Sequence, residues 1–165
     1  RGNVQTRLKK LDTEKLDAVI LAAAGMIRMG YEDQISQYLP TSICLPAVGQ
    51  GTLAIETRSD DENIKSIVSR LHHKPTAFCI SAERSFLERL EGGCQVPIGA
   101  FATLAGNRIT LEGMVADLDG HPLYRGIAAG HASHGVETGI RLAEKLLSEG
   151  AGKVLEKIYG KKPGE

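Results

Sequence analysis

The run IGAFATLAGNRITLEGMVADLDGHPLYRGIA, residues 98–128, decides the fold of the larger part of this chain. It divides into three strand-length segments, Ile98–Leu104, Arg108–Ala116 and His121–Ala128, each dominated by apolar and β-branched residues. Ala105-Gly106-Asn107 and Asp117-Leu118-Asp119-Gly120 join them with the Gly, Asn and Asp that tight hairpins demand, which predicts an antiparallel sheet. Upstream, Thr76 is expected to cap a helix running to about Leu90 and ending at Gly92-Gly93. Downstream, Val136, Ile140, Ala143, Leu146 and Leu147 form the stripe of an amphipathic helix closed by Gly150. Val154, Leu155 and Ile158 then predict a last helical segment, with a frayed tail after Gly160. Residues 74–165 therefore read as a small α+β domain with a three-stranded antiparallel sheet and helices.

Working outward, the first seventy residues carry a different pattern. Asn3 is a candidate N-cap, followed by Val4, Leu8 and Leu11 at helical spacing. Asp17 to Ala22 is a continuous apolar run of strand length, the mark of a strand buried on both faces of a parallel sheet. Ala23-Ala24-Gly25 closes it with residues small enough for a ligand to approach, before a helical turn over Met26–Met29 and another over Tyr31–Leu39. Ile43-Cys44-Leu45 and Thr52–Thr57 predict two further strands, separated by the Pro- and Gly-containing stretch Pro46–Gly51. Asp60 or Asp61 then caps a helix whose Ile64, Ile67, Val68 and Leu71 form one apolar face. Helices alternating with apolar strands predict an α/β part. The fold class is thus α/β plus α+β.

Composition excludes several classes of function. Lys and Arg number 20 against 20 Asp and Glu, so no bulk charge draws the chain to nucleic acid or to an anionic membrane. The longest apolar run, Ala18 to Ala24, falls far short of the roughly 18 residues that span a bilayer. Cys44, Cys79 and Cys94 are an odd, widely spaced set with no Cys-x-x-Cys, which argues against a disulfide framework or a zinc ribbon and for a reducing compartment. The chain opens on Arg1 and turns amphipathic at once, so no signal peptide is expected, which suits either a mature terminus or a cut inside a larger protein.

Four groups of residues are candidates for chemistry. Cys94 follows two glycines and precedes Pro97, so its thiol is expected on a loop tip, where it either attacks a carbon electrophile or sits incidentally beside a helix end. Cys44 and Cys79 lie in apolar patterns and read as small core residues. Arg1, Gly2 and Arg7 frame a helix start, where unpaired N–H groups and planar guanidinium forks suit carboxylates; the alternative is a solvated amphipathic helix. Arg28, beyond the predicted strand end, would share that crevice. His72-His73, His121, His131 and His134 offer neither a triad nor metal-ligand spacing, so no metal is expected.

Together these residues resemble the porphobilinogen deaminase family, the hydroxymethylbilane synthases of tetrapyrrole and haem biosynthesis. Arg-Gly-Asn-Val-Gln-Thr-Arg-Leu at 1–8, Leu-Ala-Ala-Ala-Gly at 21–25 and Leu-Pro-Ala-Val-Gly-Gln-Gly at 45–51 carry the likeness. Ser-Ala-Glu-Arg-Ser-Phe-Leu at 81–87 and Leu-Glu-Gly-Gly-Cys-Gln-Val-Pro-Ile-Gly at 90–99 complete it in family order. The resemblance covers the C-terminal half of that enzyme. It implies the remainder of a periplasmic-binding-protein-like α/β domain pair, with 1–45 ending domain 2 and 46–70 forming a hinge and return segment of domain 1. Residues 74–165 would be the cofactor-anchoring domain 3.

The same resemblance implies a deaminating transferase that joins four porphobilinogens head to tail on a dipyrromethane primer. Cys94 would hold that primer by a thioether, with Arg1, Gly2, Arg7, Arg28 and Gln50 around its carboxylates. The role of Arg84 stays open. The catalytic Asp would lie upstream, so no catalytic residue is expected in these 165 residues, and the chain alone would be inactive without its N-terminal half. The parent would be a cytoplasmic monomer. The competing reading is a non-catalytic carboxylate-binding module.

Overall fold

A computed structural model of the chain describes residues 2–91 and 96–160. Two compact units divide at the exposed Pro40, one spanning Arg1–Pro40 and the other Thr41–Glu165.

The first unit is thinly packed. Helix α1 (Val4–Thr13) starts as its sequence predicts, with Asn3 Oδ1 accepting the Thr6 N–H at 2.9 Å. Helix α2 (Ala23–Arg28) begins at the small residues expected to close a strand. The predicted strand over 17–22 is absent: these residues carry no ladder, and Ile20 is 69% exposed. A strand exists only through its neighbours, and no described residue lies alongside to pair with it. Over Tyr31–Leu39 only a single 3-10 turn, Glu32–Gln34, forms in place of the expected helical segment. Met26 is the one described residue of this unit that is buried.

The second unit contains the small α+β domain. Strands β1 (Ile98–Ala105), β2 (Arg108–Ala116) and β3 (Leu123–His131) form an antiparallel sheet in the order β1-β2-β3. Its register pairs Ala102 with Leu111 and Leu111 with Ala128. The third strand starts two residues later than its sequence suggested, because Pro122 brings no N–H to a ladder and its carbonyl instead accepts the Asp117 N–H at 3.1 Å.

One sheet face, built from Ala100, Ala102, Ile109, Leu111 and Val115, packs on three helices: α4 (Lys74–Arg89), α5 (Gly135–Leu146) and α6 (Gly152–Tyr159). Phe86 and Leu90 from one side and Leu142, Leu146 and Leu155 from the other complete the core. Helix α4 begins two residues before the predicted Thr76, with Pro75 in its first turn and His73 as N-cap. Gly113 lies under Phe86, where a Cβ would come within 2.6 Å of the ring. Gly150 and Gly160 end the last two helical segments with positive φ, as their positions predicted.

Between Thr41 and the sheet, two sequence-predicted strands are absent. Ile43 lies in a turn, Cys44–Leu45 and Thr52–Thr57 carry no ladder among the described residues, and Leu53 is 83% exposed. Helix α3 (Glu62–Val68) is capped by Asp61, whose carboxylate accepts the Ile64 N–H at 3.0 Å. Its apolar residues Ile64 and Ile67 face solvent.

Candidate cofactor site and the carboxylate clamp

On the first unit the candidate residues gather at the start of α1. The Arg7 Nε–H donates to the Gly2 carbonyl at 3.1 Å, which folds the side chain back over the helix entry. Gly2 has a φ of +139° and would place a Cβ 2.7 Å from Thr6 Cγ2, so no other residue fits there without a shift. Arg28 lies in the last turn of α2, exposed and without an ion pair among the described residues. Arg7 likewise has no carboxylate partner among them. Two solvent-facing guanidinium groups with unspent charge suit a ligand rich in carboxylates, such as a dipyrromethane with its acetate and propionate arms.

On the second unit Gln50 lies in a turn between Gly49 and Gly51, both at positive φ. Its N–H donates to Ala47 O at 3.0 Å, and the Thr52 N–H to Gly49 O at 3.1 Å. The segment from Thr41 to Gly51 is bound to the sheet domain at three places. Arg125 on β3 donates to the carbonyls of Ser42 and Thr41 at 2.9 and 2.8 Å while pairing with Glu112 at 2.8 Å. The Ala100 N–H of β1 donates to Pro46 O at 3.0 Å, and Gly99 leaves room for this approach, since a Cβ would sit 3.1 Å from both Leu45 O and Pro46 O.

The third tie is Glu83 of α4, only 4% exposed. One carboxylate oxygen accepts the Gly49 N–H at 2.8 Å and the other the Ala102 N–H of β1 at 2.9 Å. Burial pushes its carboxyl above the ordinary Glu value, while the bonds from Gly49 and Ala102 pull the other way. Sequence reasoning did not single out Glu83. Its signal was an acid on the core stripe of α4, at helical spacing with Cys79, Phe86 and Leu90, where a carboxylate needs a buried partner.

Gly2 and Arg7 thus meet directly, Arg28 stands in the same unit, and Gln50 belongs to the other. Arg1 and Cys94 lie outside the described residues, as does the Gly92-Gly93 pair expected to end α4. Arg84 is exposed and makes no ion pair among the described residues. Cys44 is exposed, which corrects its reading as a core residue: Ile43 beside it has no covering layer either. Cys79 is half-buried, and burial followed by the neighbouring Glu83 charge raises its thiol above the ordinary value. The ring of His73 engages Thr76 Oγ1 at 2.8 Å and that of His131 engages Ser133 Oγ at 2.8 Å, both at helix entries.

Comparison with known proteins adds the family. Residues 1–66 match the family model "Porphobilinogen deaminase, dipyromethane cofactor binding domain", and 77–148 match "Porphobilinogen deaminase, C-terminal domain". Gly2, Arg7, Arg28 and Gln50 fall in the first match and Cys94 in the second. The chain is 50% identical over 157 residues to a porphobilinogen deaminase of Pelotomaculum thermopropionicum, covering 95% of this chain and 50% of that protein. It is 51% identical over 159 residues to one from Brevibacillus brevis, covering 96% of this chain and 51% of that protein. A Geobacter metallireducens porphobilinogen deaminase is 50% identical over 159 residues, with 96% and 50% covered. The chain therefore spans about half the length of the curated relatives it matches. With two adjoining family domains matched in order and relatives near half identity across nearly every residue, the chain belongs to the porphobilinogen deaminase family.

Proposed function

We propose that this chain forms the C-terminal half of a hydroxymethylbilane synthase, a cytoplasmic deaminating transferase that joins four porphobilinogens head to tail with release of ammonia. The observation that carries the reading is the pair Arg7 and Arg28. Both are exposed and free of carboxylate partners among the described residues, within the stretch that matches the cofactor-binding family domain. The free cysteines Cys44 and Cys79 suit a reducing compartment. No described helix is long and apolar enough to cross a membrane.

In this reading residues 1–45 complete one α/β domain of a periplasmic-binding-protein-like pair and 46–70 return to the other. Residues 74–165 hold the cofactor, and an upstream Asp performs the acid–base work. The dipyrromethane, when bound, supplies the free pyrrole α-position from which the product grows. Cys94 holds it through a thioether, because a soft sulfur forms a carbon bond that survives the hydrolysis releasing the product. Arg1, Arg7 and Arg28 neutralise acetate and propionate groups, and the Gly2 backbone and Gln50 are further cofactor-binding groups. An unpaired carboxylate in a semi-enclosed cleft would cost several kcal/mol, on the order found for other buried unpaired charges. The parent works as a monomer, and this half alone is inactive.

Intact mass of the full-length protein is the test. A mass addition of two linked pyrroles on the peptide containing Cys94, absent from Cys94→Ser, is expected. A Cys94→Ser protein that retains a covalent dipyrrole would overturn the assignment.

A further inference from the structure

Glu83 is the one described acid of the second unit whose two carboxylate oxygens each accept a backbone N–H from a different segment. Gly49 lies 34 positions upstream of it in the chain and Ala102 19 positions downstream. The carboxylate therefore joins three pieces: the turn that carries Gln50, the helix α4, and the strand β1. Helix α4 leads into the segment holding Cys94, and β1 leads out of it. Val48, next in line, packs against the core of the sheet domain, so the turn is fastened by an apolar contact as well. A buried carboxylate is a stringent fastener. It tolerates burial only while its acceptor oxygens are met, and its geometry fixes the amides that meet them.

We infer that Glu83 is a positioning residue for the reaction proposed above, fastening the Val48–Gln50 turn so that Gln50 is carried by the cofactor-anchoring domain. The inference rests on that proposed function. It moves the freedom expected of the Pro46–Gly51 stretch to its flanks. Leu39-Pro40 lies before the Arg125 tie, and residues 52–57, which carry no ladder, lie after Gly51. Gln50 then keeps its distance to the ends of α4 and β1, while residues beyond Gly51 rearrange as the product lengthens.

The test uses the full-length protein loaded with dipyrromethane. In Glu83→Gln the side-chain amide replaces one accepting oxygen with a donor, so the Ala102 N–H can keep its acceptor while the Gly49 N–H loses its own. The variant is expected to carry a full complement of dipyrromethane yet show a KM for porphobilinogen raised about tenfold or more per loaded site, since small misplacements of positioning groups have effects of that size. Glu83→Ala, with neither acceptor, should be worse, and a merely structural Glu83 would lower stability with KM unchanged. A loaded Glu83→Gln protein with wild-type KM and kcat overturns the inference.

Should the variants fail to fold, hydrogen exchange on the wild type decides. A Gly49 amide as protected as that of Ala102 supports the fastening, and one exchanging as freely as an unstructured peptide overturns it. A wild-type protein without dipyrromethane would sink the proposed function, and the Gly49 exchange would still judge the fastening.

Discussion

Cys79 and Glu83 sit one helical turn apart on α4, and the acid leaves its mark on the thiol. The carboxylate raises the Cys79 thiol further after burial has already done so. A raised thiol pKa means less thiolate at any given pH, so alkylation of Cys79 should lag near neutrality and accelerate only above the ordinary thiol range of about 8.5. Cys44 is exposed and should react first. Peptide mapping after a short iodoacetamide pulse at increasing pH checks this, and equal labelling of both cysteines at neutral pH would contradict it. Neither thiol could be ranked from sequence. Both lie in apolar surroundings along the chain, and only the lack of any layer over Ile43 separates them.

Helices α4 and α5 meet at their closest where Gly139 faces Ala82, Ser85 and Phe86. A Cβ on Gly139 would lie nearer to Ser85 Oγ and Ala82 O than real Cβ atoms come. The Ser85 hydroxyl donates to Val136 O at 3.0 Å across the same seam. Gly139→Ala should therefore lower the stability of the sheet domain by about 1–3 kcal/mol through overpacking, read as a shifted denaturant midpoint. A midpoint unchanged from wild type would show that the seam opens without strain.

This packing was only half legible in the sequence. The stripe Ile140, Ala143, Leu146, Leu147 announced α5, and Gly106-Asn107 announced the first hairpin, because both signals are local. That Gly139 lies at the tightest point of the crossing depends on how two distant helices meet. The run over 17–22 misled for a related reason: apolar continuity reports that a segment wants covering, and strand formation needs a neighbour to supply it. Glu83 escaped notice because its partners are backbone amides, which every non-proline residue carries.

Across the molecule, burial is uneven. Phe86, Leu90, Ile109, Leu111 and Leu146 are fully buried around the sheet, whereas Ile20, Ile43, Leu53, Ile55 and Leu71 stand in solvent. Apolar surface left open in this way favours association, and segments without a ladder partner add exposed backbone donors and acceptors. In the isolated 165-residue chain, amides of β2 should exchange slowly and those of 18–22 and 52–57 near the unstructured rate. Mass spectrometry of exchanged peptides reads this directly. Protection of 52–57 equal to that of β2 would mean that these residues find a partner within the chain.

Arg125 adds a consequence for how such a chain tolerates being severed. By gripping the carbonyls of Thr41 and Ser42 it staples the very start of the larger unit to its sheet. A nick among the exposed residues Tyr38, Leu39 and Pro40 would hand the downstream piece a new amino end that is already tied down. The seam is thus a natural site for splitting the polypeptide into two separately handled parts, with no unravelling set off at the cut.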